Sequence, residues 1–323
     1  MQSDLPKVLH PLCGRPLIGH VLAVADTFAT SSTVVVLSSD TVEPVRATMG
    51  ERYRYVTQTE VLGTGHAVLQ ARDALQGKTD QTLVLYGDTP LIRCETAQTL
   101  LDVQRENGAM VGLLSFHADP PTGYGRVLRD AAGHVVKLIE ERNATPEQRA
   151  ITEANAGMMC FDSAWLWSHI DTIERNPLKG EYYLTDLVAM AVAERGPGAV
   201  VAHRTDEPHE AWGINDRAQL AATEAVLRAR IIDTLMRSGV TVVDPAATYV
   251  DVDVEVGRDT TLLPGTLLRG ATRIGAGCEI GPYTTVVGAI IGDRARVRYA
   301  LVEADVAPEA IIGPFIHIGR GDA

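Results

Sequence analysis

Aromatic residues are scarce in this chain of 323 residues, at 5%, so its core has to be built from Ala, Val, Leu and Ile. Cysteine is rarer still. Cys13, Cys94, Cys160 and Cys278 are scattered, with no pair at metal-ligand spacing, and suggest neither a disulfide framework nor a zinc module. Basic charge is also short. The 29 Lys and Arg against 41 Asp and Glu leave a net charge of −12, which argues against nucleic acid or an anionic membrane as partner over most of the surface. A small anionic substrate stays open, because a local lysine or arginine pocket overrides the global field. The sequence shows neither a signal peptide nor an apolar run of spanning length, and the expected compartment is a reducing cytoplasm.

What is present is alternation. Val34-Val35-Val36-Leu37, Leu83-Val84-Leu85-Tyr86 and Met110-Val111-Gly112-Leu113-Leu114 are continuous apolar runs, expected of strands buried on both faces. Thr64 to Leu75 and Cys94 to Asn107 read as amphipathic helices between them. The pattern predicts a mostly parallel sheet wrapped by helices, with ligands beyond the carboxyl ends of the strands. Gly87-Asp88 falls there, just past Tyr86. Asp216 to Arg237 reads as one connecting helix stopped by Gly239.

Beyond residue 245 the period changes. Val250, Val256, Leu262, Leu268, Ile274, Ile280 and Val286 recur every six residues, with glycine following at Gly257, Gly275 and Gly281. After a one-residue slip, Ile291-Gly292, Val297, Ile312-Gly313 and Ile318-Gly319 continue the series. An ordinary alternating sheet does not lock glycine to a sixfold phase, so the spacing predicts a hexapeptide β-helix.

Several strings occur in a fixed order ahead of that repeat. They are Ser3-Asp4-Leu5-Pro6-Lys7-Val8-Leu9-His10, Gln58 to Ala67 (QTEVLGTGHA), and Tyr86-Gly87-Asp88-Thr89-Pro90-Leu91. Gly123-Tyr124-Gly125-Arg126, Glu153 to Gly157 (EANAG), Glu181 to Asp186 (EYYLTD) and Gly213 to Arg217 (GINDR) follow. With the hexapeptides, they make the whole chain resemble the GlmU family. Its members fuse an N-acetylglucosamine-1-phosphate uridylyltransferase to a glucosamine-1-phosphate N-acetyltransferase. The resemblance implies an α/β fold of the nucleotide-diphospho-sugar transferase type, Rossmann-like, then a short left-handed parallel β-helix. The expected divisions are a nucleotidyltransferase domain over 1–216, a linker helix and connection over 217–245, and a partial β-helix over 246–323. The implied activity is uridylyl transfer from UTP to N-acetylglucosamine-1-phosphate, giving UDP-N-acetylglucosamine and pyrophosphate for cell-wall precursor synthesis. The implied assembly is a homotrimer through the β-helix.

Such chemistry needs mostly positioning and charge neutralisation by Mg²⁺ and cationic side chains. The resemblance makes Asp88 and Asn215 the metal ligands and Lys7 the triphosphate-binding lysine. These three are the expected catalytic residues. From the residues alone, Asp88 is as much a turn former after Gly87, and Lys7 a solvated surface charge. Gln58 can read uracil through its amide, and Gly63 and Thr64 let backbone approach the base. Gly63-Thr64-Gly65 is otherwise a plain helix start with Thr64 as N-cap. On the sugar side the resemblance points to Tyr86, Gly87, Gly125, Glu140 and Asn155. The run Glu140-Glu141-Arg142 also reads as solvated charge. Tyr182 and Tyr183 flank this site or sit in the core, and His10, His66 and His203 read as packing or capping residues.

Two further expectations concern the ends. Met1 aligns with the methionine that closes the family's glycine-rich loop, so that loop and the first strand of the sheet are expected to be missing, leaving neighbouring strands with unpaired backbone. The run Gly313 to Gly321 begins a coil where the family carries Arg-Pro-Gly, and this chain has Gly319-Arg320-Gly321; the acetyltransferase half reads as incomplete. Two alternatives accompany the uridylyltransferase reading. One is a non-catalytic remnant that binds sugar nucleotide or trimerises, the other a nucleotidyltransferase for another sugar-1-phosphate.

Overall fold

A computed structural model describes residues 1–28, 33–177 and 179–319. The chain divides into two compact units, Met1–Leu9 with Leu17–Asn215, and His10–Pro16 with Asp216–Ala323. The short excursion at residues 10–16 is invisible to a contiguous boundary at 216. It is a hairpin, Pro11–Leu12 against Arg15–Pro16, turned by Cys13 and Gly14 at φ +43° and +82°. The Cys13 carbonyl accepts from the Val252 amide at 3.0 Å, and Arg15 pairs with Asp253.

The first unit contains a six-stranded sheet. Val200–Thr205 lies parallel to Val111–His117, which lies antiparallel to the long strand Glu153–Asp162. Gln81–Val84 and Arg126–Arg129 share the opposite edge of that long strand, and Val135–Ile139 closes a hairpin with Arg126–Arg129. The expectation of a mostly parallel sheet is therefore corrected. Glu153–Asp162 runs against its neighbours and makes the sheet mixed. Expected helix 64–75 is also two pieces, Thr64–Leu69 and Arg72–Leu75. Helix Cys94–Glu106 buries Ala97, Leu100 and Gln104.

A parallel pair, Val34–Ser38 with Arg54–Gln58, forms its own two-stranded sheet. Between it and Gln81–Val84 lies a cavity of about 610 Å³. Every residue from Thr33 to Leu37 and from Thr79 to Leu83 lines it. Successive strand residues point to opposite faces, so unbroken runs on both sides place the cavity along the strand edges. Among the described residues neither strand has a ladder partner on that side.

The second unit begins with helix Arg217–Arg237, capped by the Asp216 carboxylate, which accepts from the Gln219 amide at 2.8 Å. Short strands then stack in three parallel sheets. Tyr249 pairs with Leu267 and Leu267 with Thr285, a rise of eighteen residues per coil, or three hexapeptides. The slip read from the sequence reappears where Arg273 pairs with Ile290. Val250, Leu262, Leu268, Ile274, Ile280 and Val286 are buried, while Val256 is only partly so. Each fully buried aliphatic contributes roughly 1.5–3 kcal/mol. Glycine follows because coils approach closely: a Cβ at Gly257 would meet the Ala276 nitrogen at 2.6 Å. Arg320, beside the position where the resemblance places a phosphate-binding arginine, lies outside the described residues.

Candidate active site

Lys7 opens a short 3₁₀ turn, Lys7–Leu9, held by the Leu9 amide donating to the Pro6 carbonyl at 2.9 Å. Its Nζ donates to Asp88 Oδ2 at 2.6 Å and to Asn215 Oδ1 at 3.2 Å. Asp88 stands on the loop after Gln81–Val84. Asn215 directly precedes the Asp216 cap, and the Ile214 amide donates to the Asp88 carbonyl at 3.0 Å, tying the two loops together. Residues 81 and 208 positions from Lys7 thus converge on one ammonium. A single carboxylate and a single carboxamide oxygen around a cation form the donor set that a hydrated magnesium ion takes from protein. Among the described residues no group of three or more His, Cys, Asp and Glu could hold a metal.

A second cluster lies at the end of Arg54–Gln58. Gln58 is 7% exposed, and its Nε2 donates to the Gly63 carbonyl at 3.2 Å. Gly63 holds φ +97°, and a Cβ there would meet the Tyr182 carbonyl at 2.7 Å. The Tyr182 and Gly65 amides lace the two loops, donating to Leu62 at 2.7 Å and Tyr182 at 2.8 Å. Thr64 does not cap its helix. Gly63 takes the cap position, and the Thr64 hydroxyl accepts from the Leu184 amide at 3.1 Å.

The third cluster surrounds Tyr86. Strand Glu153–Asp162 bulges where its register to Val111–His117 jumps from Leu113↔Met159 to Ser115↔Asn155. Gly157 sits in that bulge at φ +88°, and a Cβ would lie 2.9 Å from the Tyr86 ring. Asn155 Oδ1 accepts from the Gly157 amide at 3.2 Å, and the Asn155 amide donates to the Gly125 carbonyl at 2.8 Å. A Cβ at Gly125 would sit 3.8 Å from Glu140 Oε1. Burial pushes the Tyr86 phenol up to about 12, helped by Glu140 and Asp88 and opposed by a hydrogen bond with Thr64. Tyr86 therefore links all three clusters. Gly87 lies between Tyr86 and Asp88.

A model of the MobA-like NTP transferase domain matches residues 1–158. The bifunctional protein GlmU of Trichlorobacter lovleyi is 43% identical over 326 residues, covering 99% of this chain and 70% of that protein. GlmU proteins of Geobacillus sp. strain WCH70 and Listeria monocytogenes are 40% and 39% identical, each covering 98% of this chain and 69% of the relative. The chain belongs to the GlmU family. It is a nucleotidyltransferase, and Gln58 and Tyr86 to Asp88 lie at or just past the carboxyl ends of Arg54–Gln58 and Gln81–Val84, where α/β sheets place their ligands.

The charge run at Glu140 resolves into two environments. Glu141 faces Arg126, a guanidinium only 2% exposed, at 3.2 Å, and accepts from the Gly123 amide at 2.9 Å. The Gly123 amide, with Arg126 beside it, holds the Glu141 carboxyl below its ordinary range. Glu140 turns inward. Burial raises its carboxyl, the Asp186 charge adds to that, and the Thr185 hydroxyl and Arg142 pull the other way. Sequence reasoning missed Arg126 as the buried brace of this corner, although it ends the string Gly123 to Arg126. It also read His66 as a packing or capping residue; its two ring nitrogens face carboxamides, Gln58 at 2.9 Å and Gln70 at 3.1 Å. Tyr182 packs its ring 6.3 Å from His66.

Proposed function

We propose that the first unit transfers a uridylyl group from UTP to N-acetylglucosamine-1-phosphate and releases pyrophosphate. The convergence of Lys7, Asp88 and Asn215 carries this reading. A phosphate oxygen of the sugar attacks the α-phosphorus of UTP, a new P–O bond forms, and the bond to the bridging oxygen of pyrophosphate breaks. Lys7 moves its charge from Asp88 to the phosphates and neutralises the equatorial oxygens as the bond order shifts. Asp88 and Asn215 would hold Mg²⁺, which supplies Lewis-acid stabilisation of the phosphate charge when bound.

Gln58 with the Gly63 and Thr64 backbone faces the nucleobase. Glu140 accepts from sugar hydroxyls. Asn155, with Oδ1 already taken by Gly157, offers its amide hydrogens to the N-acetyl carbonyl. Tyr86, Gly87 and Gly125 shape the pocket wall. A site that hydrogen-bonds these groups rejects sugars lacking them. The β-helix is assigned as the surface through which three copies associate, and the enzyme as cytoplasmic; no helix among the described residues is long and apolar enough to cross a membrane.

Pyrophosphate release from UTP and N-acetylglucosamine-1-phosphate tests the reading. Asp88→Ala is expected to lower the Mg²⁺-dependent rate by about 10²-fold or more. Binding of UDP-N-acetylglucosamine without any pyrophosphate release identifies a remnant instead. Equal rates with glucose-1-phosphate contradict the assigned sugar.

A further inference from the structure

The Gln58 carboxamide has an orientation that its surroundings dictate. A backbone carbonyl only accepts, so the Gln58 atom 3.2 Å from the Gly63 oxygen is the NH₂ group. The same nitrogen lies 2.9 Å from His66 Nδ1. Its second hydrogen therefore needs Nδ1 as an acceptor, which places the ring proton on Nε2. That nitrogen faces Gln70, whose side chain follows the end of helix Thr64–Leu69 and is otherwise held only by the His66 carbonyl at 3.2 Å. Gln70 is held in the same way, its Nε2 also donating to the His66 carbonyl, but it is half-buried and can give up that bond to solvent and turn its oxygen to the ring. Gln58 is only 7% exposed, and turning it would set its oxygen against the Gly63 carbonyl and lose Nδ1 as well.

Both hydrogens of Gln58 are thus committed to protein. No donor among the described residues meets its Oε1. The face left for a ligand is acceptor-only.

We propose that His66 is a positioning residue for base specificity: it locks Gln58 as an acceptor, so the site selects a pyrimidine bearing an N3–H, uracil or thymine, over cytosine. Cytosine carries a lone pair at N3 and would place acceptor against acceptor, with the triphosphate anchored at Lys7 limiting any shift in register. Without His66 one Gln58 hydrogen is released. The carboxamide is then held in that orientation by the Gly63 carbonyl alone, and turning it to meet cytosine costs one bond instead of two. The inference rests on the uridylyl reading of the same site.

The test compares the affinities of UTP and CTP by titration calorimetry with Mg²⁺ and no sugar phosphate. His66→Phe keeps a ring beside Tyr182 but has no acceptor. His66→Asn loses the ring yet carries an oxygen on the carbon that bears Nδ1. The UTP:CTP affinity ratio is expected to fall about tenfold in His66→Phe and to stay within about twofold of wild type in His66→Asn. A ring needed only for packing gives the reverse order, with the ratio kept in Phe and lost in Asn, and overturns the proposal. Equal ratios in all three proteins overturn it too. If His66→Phe does not fold, His66→Ala carries the same expected loss. Wild type that binds neither nucleotide, or both equally, contradicts the uridylyl reading itself rather than the role of His66.

Discussion

In the second unit the coils repeat one buried pattern, with Val256 partly exposed and a single slip, whereas the candidate site of the first unit gathers several departures from regular structure. The bulge at Gly157, the positive φ at Gly63 and the inward Glu140 all break the local rule of their element. Along the edge cavity between Thr33–Leu37 and Thr79–Leu83, two strands of that unit have no ladder partner on the cavity side among the described residues. Repetition gives stability by summing equal contributions. A site instead needs groups held in environments that they would not choose alone.

That contrast makes its sharpest prediction in paired core truncations. Ile280→Ala, at a fully buried position of the β-helix, is expected to cost about 2–5 kcal/mol in unfolding of the second unit. Leu83→Ala, on the wall of the existing cavity, is expected to cost the first unit less than about 1.5 kcal/mol, since fewer contacts are lost. Denaturant titrations that gave equal losses would remove the distinction.

Next in size is Gly157→Ala, expected to cost about 1–3 kcal/mol because it combines φ +88° with a contact against Tyr86. The KM for sugar phosphate rises with it. A substitution that changed stability but left KM alone would separate the bulge from the sugar cluster.

Glu140→Gln should act in the opposite direction on stability. Folding raises the Glu140 pKa above its ordinary value of 4.5, so folding disfavours the ionised form. Wild type is then relieved of that cost below about that pH and bears it as pH rises through the raised value. Glutamine cannot ionise, and the variant is expected to melt about 2–4 °C higher at neutral pH, with the gain fading toward pH 4 and sugar binding weakened throughout. A gain independent of pH would contradict the burial of a charged Glu140.

The two units also differed in how far the sequence revealed them. The β-helix was legible down to individual residues, because its period is carried by side chains that stack directly. Even so, the buried threonines Thr248, Thr260, Thr266 and Thr272 went unread, although they stand two residues before an aliphatic and share its phase. Their hydroxyls donate to backbone carbonyls, Thr260 to Gly275 at 2.8 Å for example. In the first unit, apolar runs located Val34–Ser38 and Val111–His117 but said nothing of strand direction. The sense of Glu153–Asp162 depends on partners far away in sequence. Lys7, Asp88 and Asn215 looked bland singly, and only their ordered strings marked them. Arg126 and His66 stand in the strings Gly123 to Arg126 and Gln58 to Ala67, but no local pattern pairs Arg126 with Glu141 and the Arg149 carbonyl, or His66 with Gln58 and Gln70.

The most direct measurement is a crystal structure with Mn²⁺ and UDP-N-acetylglucosamine, the ion located by its anomalous signal. The account predicts manganese between the Asp88 carboxylate and Asn215 Oδ1, with Lys7 displaced from Asp88 onto phosphate. Manganese bound elsewhere, with the Lys7–Asp88 pair intact beneath the nucleotide, would contradict it.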